Sequence, residues 1–150
     1  MDLKGNIVFT QEKTVTAPAN ASQVQFSAAI DRILNGKQRN EVVVNARFFE
    51  NGKSEVVGNN YFLTRYKTID FPKAAISKRS TVAKDGFDVT VESDVFARGV
   101  FLSLDGIDNF FSDNYFDLLP KEPATIHVTS SLSKAEFDRQ LRSVSISDAY

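Results

Sequence analysis

The sequence predicts an all-β domain folded as an antiparallel sandwich, and three observations carry the prediction. Thirteen Phe and four Tyr, together with abundant Val and Thr, are residue types that suit a pleated, half-buried surface. Short runs with a period of two recur along the chain, the spacing of a strand with one wet face. Asn35-Gly36, Asn51-Gly52, Asp85-Gly86 and Asp105-Gly106 punctuate these runs, and such pairs accept the positive φ of tight turns. A parallel α/β fold would instead place helical stretches between the strands.

The elements follow in chain order. Val24-Gln25-Phe26-Ser27-Ala28 alternates and is read as a first strand, and Val42 to Phe48 as a second. Phe87-Asp88-Val89-Thr90-Val91-Glu92-Ser93-Asp94 alternates strictly, so Phe87, Val89 and Val91 belong to a buried face and Asp88, Thr90 and Glu92 to a wet one. Ala124 to Thr129 repeats the pattern. Ser133-Lys134-Ala135-Glu136 then has capping-box spacing, with Phe137 and Leu141 following on one helical face, which predicts a short helix near the C-terminus. Val144 and Ile146, alternating with serines, predict a closing strand on a sheet edge. No repeat or linker interrupts the chain, which reads as a single sandwich domain over residues 1–150.

Composition excludes several function classes. A chain of 150 residues buries roughly 68–70% of its unfolded surface, enough for one real core. With no Cys there is neither a disulfide framework nor a thiolate zinc site. Eighteen Lys and Arg stand against nineteen Asp and Glu with the signs interspersed, so neither nucleic acid nor a membrane surface is an expected partner. The longest apolar runs, such as Gly99-Val100-Phe101-Leu102, fall far short of the ~20 residues of a membrane span. Met1 to Asn6 lacks a basic segment leading into an apolar one, so no export signal is expected here, and that of a longer parent would lie upstream.

Catalytic chemistry has little to build on. His127 is the only histidine, and its ring is expected on the wet face, opposite Ile126 and Val128. No Gly-x-Ser-x-Gly nucleophile elbow is present. Asp88, Glu92 and Asp94 share one exposed strand without a cleft between them, unlike the facing carboxylates of a glycosidase. The loop from Asp105 to Asp113 is rich in hard oxygen ligands, which makes Asp105, Asp108 and Asp113 weak calcium candidates, although the spacing is not that of an EF-hand and such residues ordinarily serve turns. No cofactor is expected. Aromatics come in adjacent pairs, Phe48-Phe49, Tyr61-Phe62, Phe110-Phe111 and Tyr115-Phe116, and adjacent strand residues face opposite ways. One ring of each pair therefore points away from the core, toward either a docked neighbour or a stacked sugar. The lack of Trp favours docking.

The stretch Phe111-Ser112-Asp113-Asn114-Tyr115-Phe116-Asp117-Leu118-Leu119-Pro120 resembles the signature near the end of bacterial β-mannosidases of glycoside hydrolase family 2, and its FSDN core is similar in animal and fungal members. The run from Phe96 to Ser103 resembles the strand leading into that signature. Gly58-Asn59-Asn60-Tyr61-Phe62-Leu63 and the tail from Leu141 to Tyr150 are similar to further strands of the family, and Val15-Thr16-Ala17-Pro18 matches more loosely. Lys121 departs from the pattern, since relatives more often carry Gly before the glutamate that is here Glu122, and the absence of Trp marks a diverged member.

The resemblance implies an immunoglobulin-like accessory module, with the catalytic glutamates on a separate (β/α)₈ barrel. It implies a parent that hydrolyses terminal β-linked mannose with retention, located in the periplasm or otherwise outside the cytoplasm of a bacterium. No catalytic residue is carried over to this chain. Phe111, Asp113, Asn114, Tyr115 and Phe116 are the expected contacts with the other domains of that parent, chiefly its barrel, or with a mannose-containing oligosaccharide. A free-standing adhesion or scaffolding sandwich is the remaining reading.

Overall fold

A computed structural model describes residues 1–16, 18–50, 55–106 and 109–149. The expected Asn51-Gly52 turn therefore lies outside the described residues. Contacts divide the chain into two compact units, Met1–Asp2 with Asn6–Asp70 and Leu3–Gly5 with Phe71–Tyr150, where the sequence reads as one domain over 1–150. Alternation reports which face of a strand is buried but not which strands share a core, so this division has no period-two signature.

In the first unit, helix α1 (Ile30–Leu34) precedes strands β1 (Val43–Phe49) and β2 (Glu55–Phe62), which pair antiparallel from Val43↔Phe62 onward. The predicted Val42 to Phe48 strand is thus present. Leu34, Val42, Val43, Phe62 and Ile69 are its buried apolar residues. Met1 ties in through its carbonyl, which accepts the Val43 N–H at 3.0 Å. Val24 to Ala28 is not a strand, and Val24 is 84% exposed. Alternation there meets no ladder partner among the described residues, and a strand without one gains no hydrogen bonds. Asn35-Gly36 ends α1 instead of turning a hairpin: Asn35 (φ 46°) and Gly36 (φ 87°) take the left-handed region, and the Asn35 N–H bonds the Asp31 carbonyl at 3.0 Å. This second short helix was too short to register as helical periodicity.

The second unit is an antiparallel β-sandwich, as predicted. One sheet contains β3 (Ile76–Ala83), β4 (Gly86–Ser93), β6 (Phe110–Phe111) and β8 (Ala124–Thr129) in the order β3-β4-β8-β6. The other contains β5 (Ala97–Leu104), β7 (Phe116–Leu118) and β9 (Leu141–Val144) in the order β7-β5-β9. Phe87, Val89 and Val91 of β4 meet Val100, Leu102 and Leu104 of β5 in one core with Ile126, Val128 and Leu118. The outward residues on β4 are the predicted Asp88, Thr90 and Glu92.

Helix α2 (Lys134–Gln140) has the predicted capping box, with Ser133 Oγ accepting the Glu136 N–H and the Glu136 carboxylate accepting the Ser133 N–H. It buries Phe137 completely, stacked on Phe87 at 4.0 Å between ring centroids. β9 pairs with β5, but the chain leaves strand conformation before Ile146, because the Asp148 carboxylate accepts the Ser145 N–H at 2.8 Å and closes a 3-10 turn over Ile146–Asp148. The β3–β4 turn falls on Lys84-Asp85, one residue earlier than expected. Gly86 is already in the ladder, where a Cβ would sit 2.0 Å from the Val128 carbonyl oxygen. Its glycine serves close approach to β8, not the turn.

Candidate functional site

Between β6 and β7 the chain crosses from one sheet to the other through Ser112, Asp113, Asn114 and Tyr115. The side chains of Ser112, Asp113 and Asn114 each meet backbone. The Ser112 N–H donates to the His127 carbonyl at 2.8 Å, and Ser112 Oγ accepts the His127 N–H at 2.9 Å, standing in for the next carbonyl of β6. Asp113 Oδ1 accepts the Asn114 N–H at 2.8 Å. Asn114 accepts the Leu102 N–H through Oδ1 at 2.7 Å and donates from Nδ2 to the Leu102 carbonyl at 2.9 Å. A carboxamide offers one acceptor and one donor side by side, as a peptide unit does, so Asn114 extends the β5 ladder beyond Phe116.

Tyr115 turns the corner at φ 62°, and its ring stacks on Phe101 at 4.8 Å while remaining 71% exposed. Phe116 pairs with Val100 and is half-buried, as is Phe111, which packs against the core. Asp117 accepts the Gly99 N–H at 3.0 Å and pairs with Arg98 at 3.2 Å, filling the irregularity where β5 shifts register between Ala97 and Val100. After Pro120, Lys121 sits at φ 62° with its N–H on the Ser93 carbonyl at 2.8 Å. Glycine adopts this left-handed position without a Cβ penalty.

Of the five corner candidates, Asp113 and Asn114 serve the backbone, Phe111 and Phe116 lie half inside the unit, and Tyr115 presents a ring to its surroundings. Phe101 joins that ring and was absent from the sequence-based set. Alternation around the buried Val100 and Leu102 was the signal that placed it outward.

His127 projects from the outer face of its sheet, as predicted, but it is clamped. Nδ1 lies 2.8 Å from Asp88 Oδ1 and Nε2 3.0 Å from Asp85 Oδ1. The Asp88 hydrogen bond chiefly, with help from Asp85 and against a desolvation cost, raises its pKa above the ordinary 6.5. An imidazole engaged by carboxylates at both nitrogens has no lone pair left for a general base. Asp94 is likewise engaged, accepting the Ala75 N–H at 2.8 Å.

Two of the three calcium candidates have other partners. Asp105 pairs with Arg142 at 2.6 Å, Asp113 holds Asn114, and Asp108 lies outside the described residues. Among the described residues no three His, Cys, Asp or Glu are grouped to hold a metal.

Residues 71–149, the second unit but for its first three and last residues, match the mannosidase immunoglobulin family, described as an Ig-fold domain. The chain belongs to that family. Residues 1–68 match the Mannosidase Ig/CBM-like domain, and the boundary between the two matches falls where the contacts divide the units. The fold of this mannosidase Ig-type chain is similar to part of the β-D-mannosidase of Dictyoglomus thermophilum, with a TM-score of 0.65 and 18% identity. That likeness covers 76% of this chain and 14% of that enzyme. No curated protein matches the mannosidase Ig-type chain in sequence.

Proposed function

We propose that the chain is a non-catalytic accessory module of a β-mannosidase-like glycoside hydrolase of family 2, and that it packs on and stabilises the catalytic barrel. The observation that best supports this reading is the tiling of the chain, 1–68 and 71–149, by two mannosidase Ig-type families. The parent hydrolyses terminal β-D-mannose with retention. A barrel takes about 250 residues, more than the 150 here, so its acid/base and nucleophile belong to another part of such a parent. The balanced charge argues against nucleic acid or membrane as a partner, and the family resemblance supports a site of action outside the cytoplasm.

Tyr115 is the docking anchor in this reading. Its ring is already fixed against Phe101, so covering it costs little further side-chain entropy. Burying such a ring contributes about 1.5–3 kcal/mol. In the full-length parent, Tyr115→Ala is expected to lower the melting temperature of the barrel, and deleting residues 71–149 to lower it further. Unchanged melting and kinetics in both variants would refute docking. The same exposed ring is suited to stacking a manno-oligosaccharide, and saturable heat on titration with mannobiose, lost in Tyr115→Ala, would reassign the residue to sugar binding.

A further inference from the structure

Along β3, Ile76, Lys78, Ser80 and Val82 lie across from Ser93, Val91, Val89 and Phe87, so Lys78 is on the interior side of the strand. β3 is a free edge of its sheet, and α2 lies beside it. A cleft of about 460 Å³ there is lined by Lys78, Arg79, Ser80, Lys134, Asp138 and Leu141. Its charges do not balance, because three cations face one carboxylate. Asp138 is already engaged, accepting from Ser80 Oγ at 2.5 Å and pairing with Lys134. The side chains of Lys78 and Arg79 have no hydrogen bond or ion pair among the described residues.

An inward-facing edge lysine ordinarily discourages pairing with a foreign strand. One charge suffices for that purpose. Here Arg79, which pairs across from the outward Thr90, and Lys134 of α2 line the same space. Partial desolvation, with repulsion from Arg142, also holds the Lys78 ammonium below its usual pKa, and the attraction of a bound negative charge would act against that shift.

We propose that this cleft binds a small oxyanion, a carboxylate or phosphate group. The planar guanidinium of Arg79 can take two oxygens, Lys78 and Lys134 supply point charges, and Leu141 gives the skeleton of an organic anion an apolar wall.

The test is to titrate the whole chain at constant ionic strength with inorganic phosphate, with glucuronate and with a hexaglutamate peptide, following backbone amide shifts. Saturable shifts confined to β3 and α2 are expected, at millimolar concentration for the small anions. A peptide that saturates below both small anions identifies an acidic protein segment as the source of the oxyanion, and the reverse order identifies a free small molecule. Lys78→Gln and Arg79→Gln are each expected to weaken binding by about ten- to a hundredfold, the loss of one charge-assisted hydrogen bond. Lys84→Gln, in the β3–β4 turn, leaves binding unchanged, and a dispersed spectrum shows that each variant remains folded. Linear shifts in every arm, or saturation undiminished in both cleft variants, would overturn the proposal.

Discussion

Replacing Asn114 with alanine removes both hydrogen bonds to Leu102, whose N–H and C=O lie in a strand residue with no solvent exposure. Each buried backbone group left without a partner costs about 1–3 kcal/mol. Two such groups, partly rehydrated by water entering the space of the lost carboxamide, put the loss at about 2–4 kcal/mol. For a unit of this size that corresponds to a fall in melting temperature on the order of 10 °C. Urea denaturation should show a lower midpoint with the slope unchanged, since the same surface is exposed on unfolding.

Asn114→Asp separates the peptide-mimic reading from simple packing. It keeps the shape and the acceptor for the Leu102 N–H but turns a carboxylate oxygen toward the Leu102 carbonyl. At neutral pH it should be at least as damaging as alanine. As pH falls below about 4 the protonated acid regains an O–H donor, and part of the loss should return. An alanine variant within about 0.5 kcal/mol of the wild type, or an aspartate variant as stable as the wild type at pH 7, would refute the argument.

Two further outcomes follow from the same geometry. Because its folded pKa is raised above 6.5, His127 contributes stability that is fully present below that pH and is lost as pH rises through the folded value; an NMR titration of the ring should give a midpoint above 6.5, falling in Asp88→Asn, and a midpoint at or below 6.5 would remove the clamp. Lys121→Gly relieves a left-handed residue at the cost of greater unfolded-state freedom, so thermal denaturation should show a gain of up to about 1 kcal/mol, and a destabilised variant would mean that the lysine side chain holds the turn.

Strands with one wet face and a local cap were readable from residue types alone. β4, β8 and α2 carry their own signals: Phe87, Val89 and Val91 at period two, and Ser133 three residues before Glu136. What escaped the sequence depends on partners far along the chain. Val24 to Ala28 has the alternation of β4 but meets no ladder partner among the described residues. Gly86 reads as a turn glycine until the Val128 carbonyl is brought against it. Only the placement of Leu102 and Gly99 shows that Asn114 completes a ladder and Asp117 fills a bulge. The corner was found as a motif by resemblance, whereas its chemistry became legible through the backbone atoms it reaches.

The crossover also implies an order of events. β6 and β7 are two and three residues long, too short to persist as isolated hairpins. The groups that fix the crossover between them belong to Leu102 and His127, so the corner cannot close until β5 and β8 have formed. A seam of this kind forms late and parts early. Substitutions at Ser112 and Asn114 should therefore act chiefly on the rate of unfolding, leaving the rate of folding nearly untouched, and the corner becomes the latch that sets the lifetime of the folded sandwich.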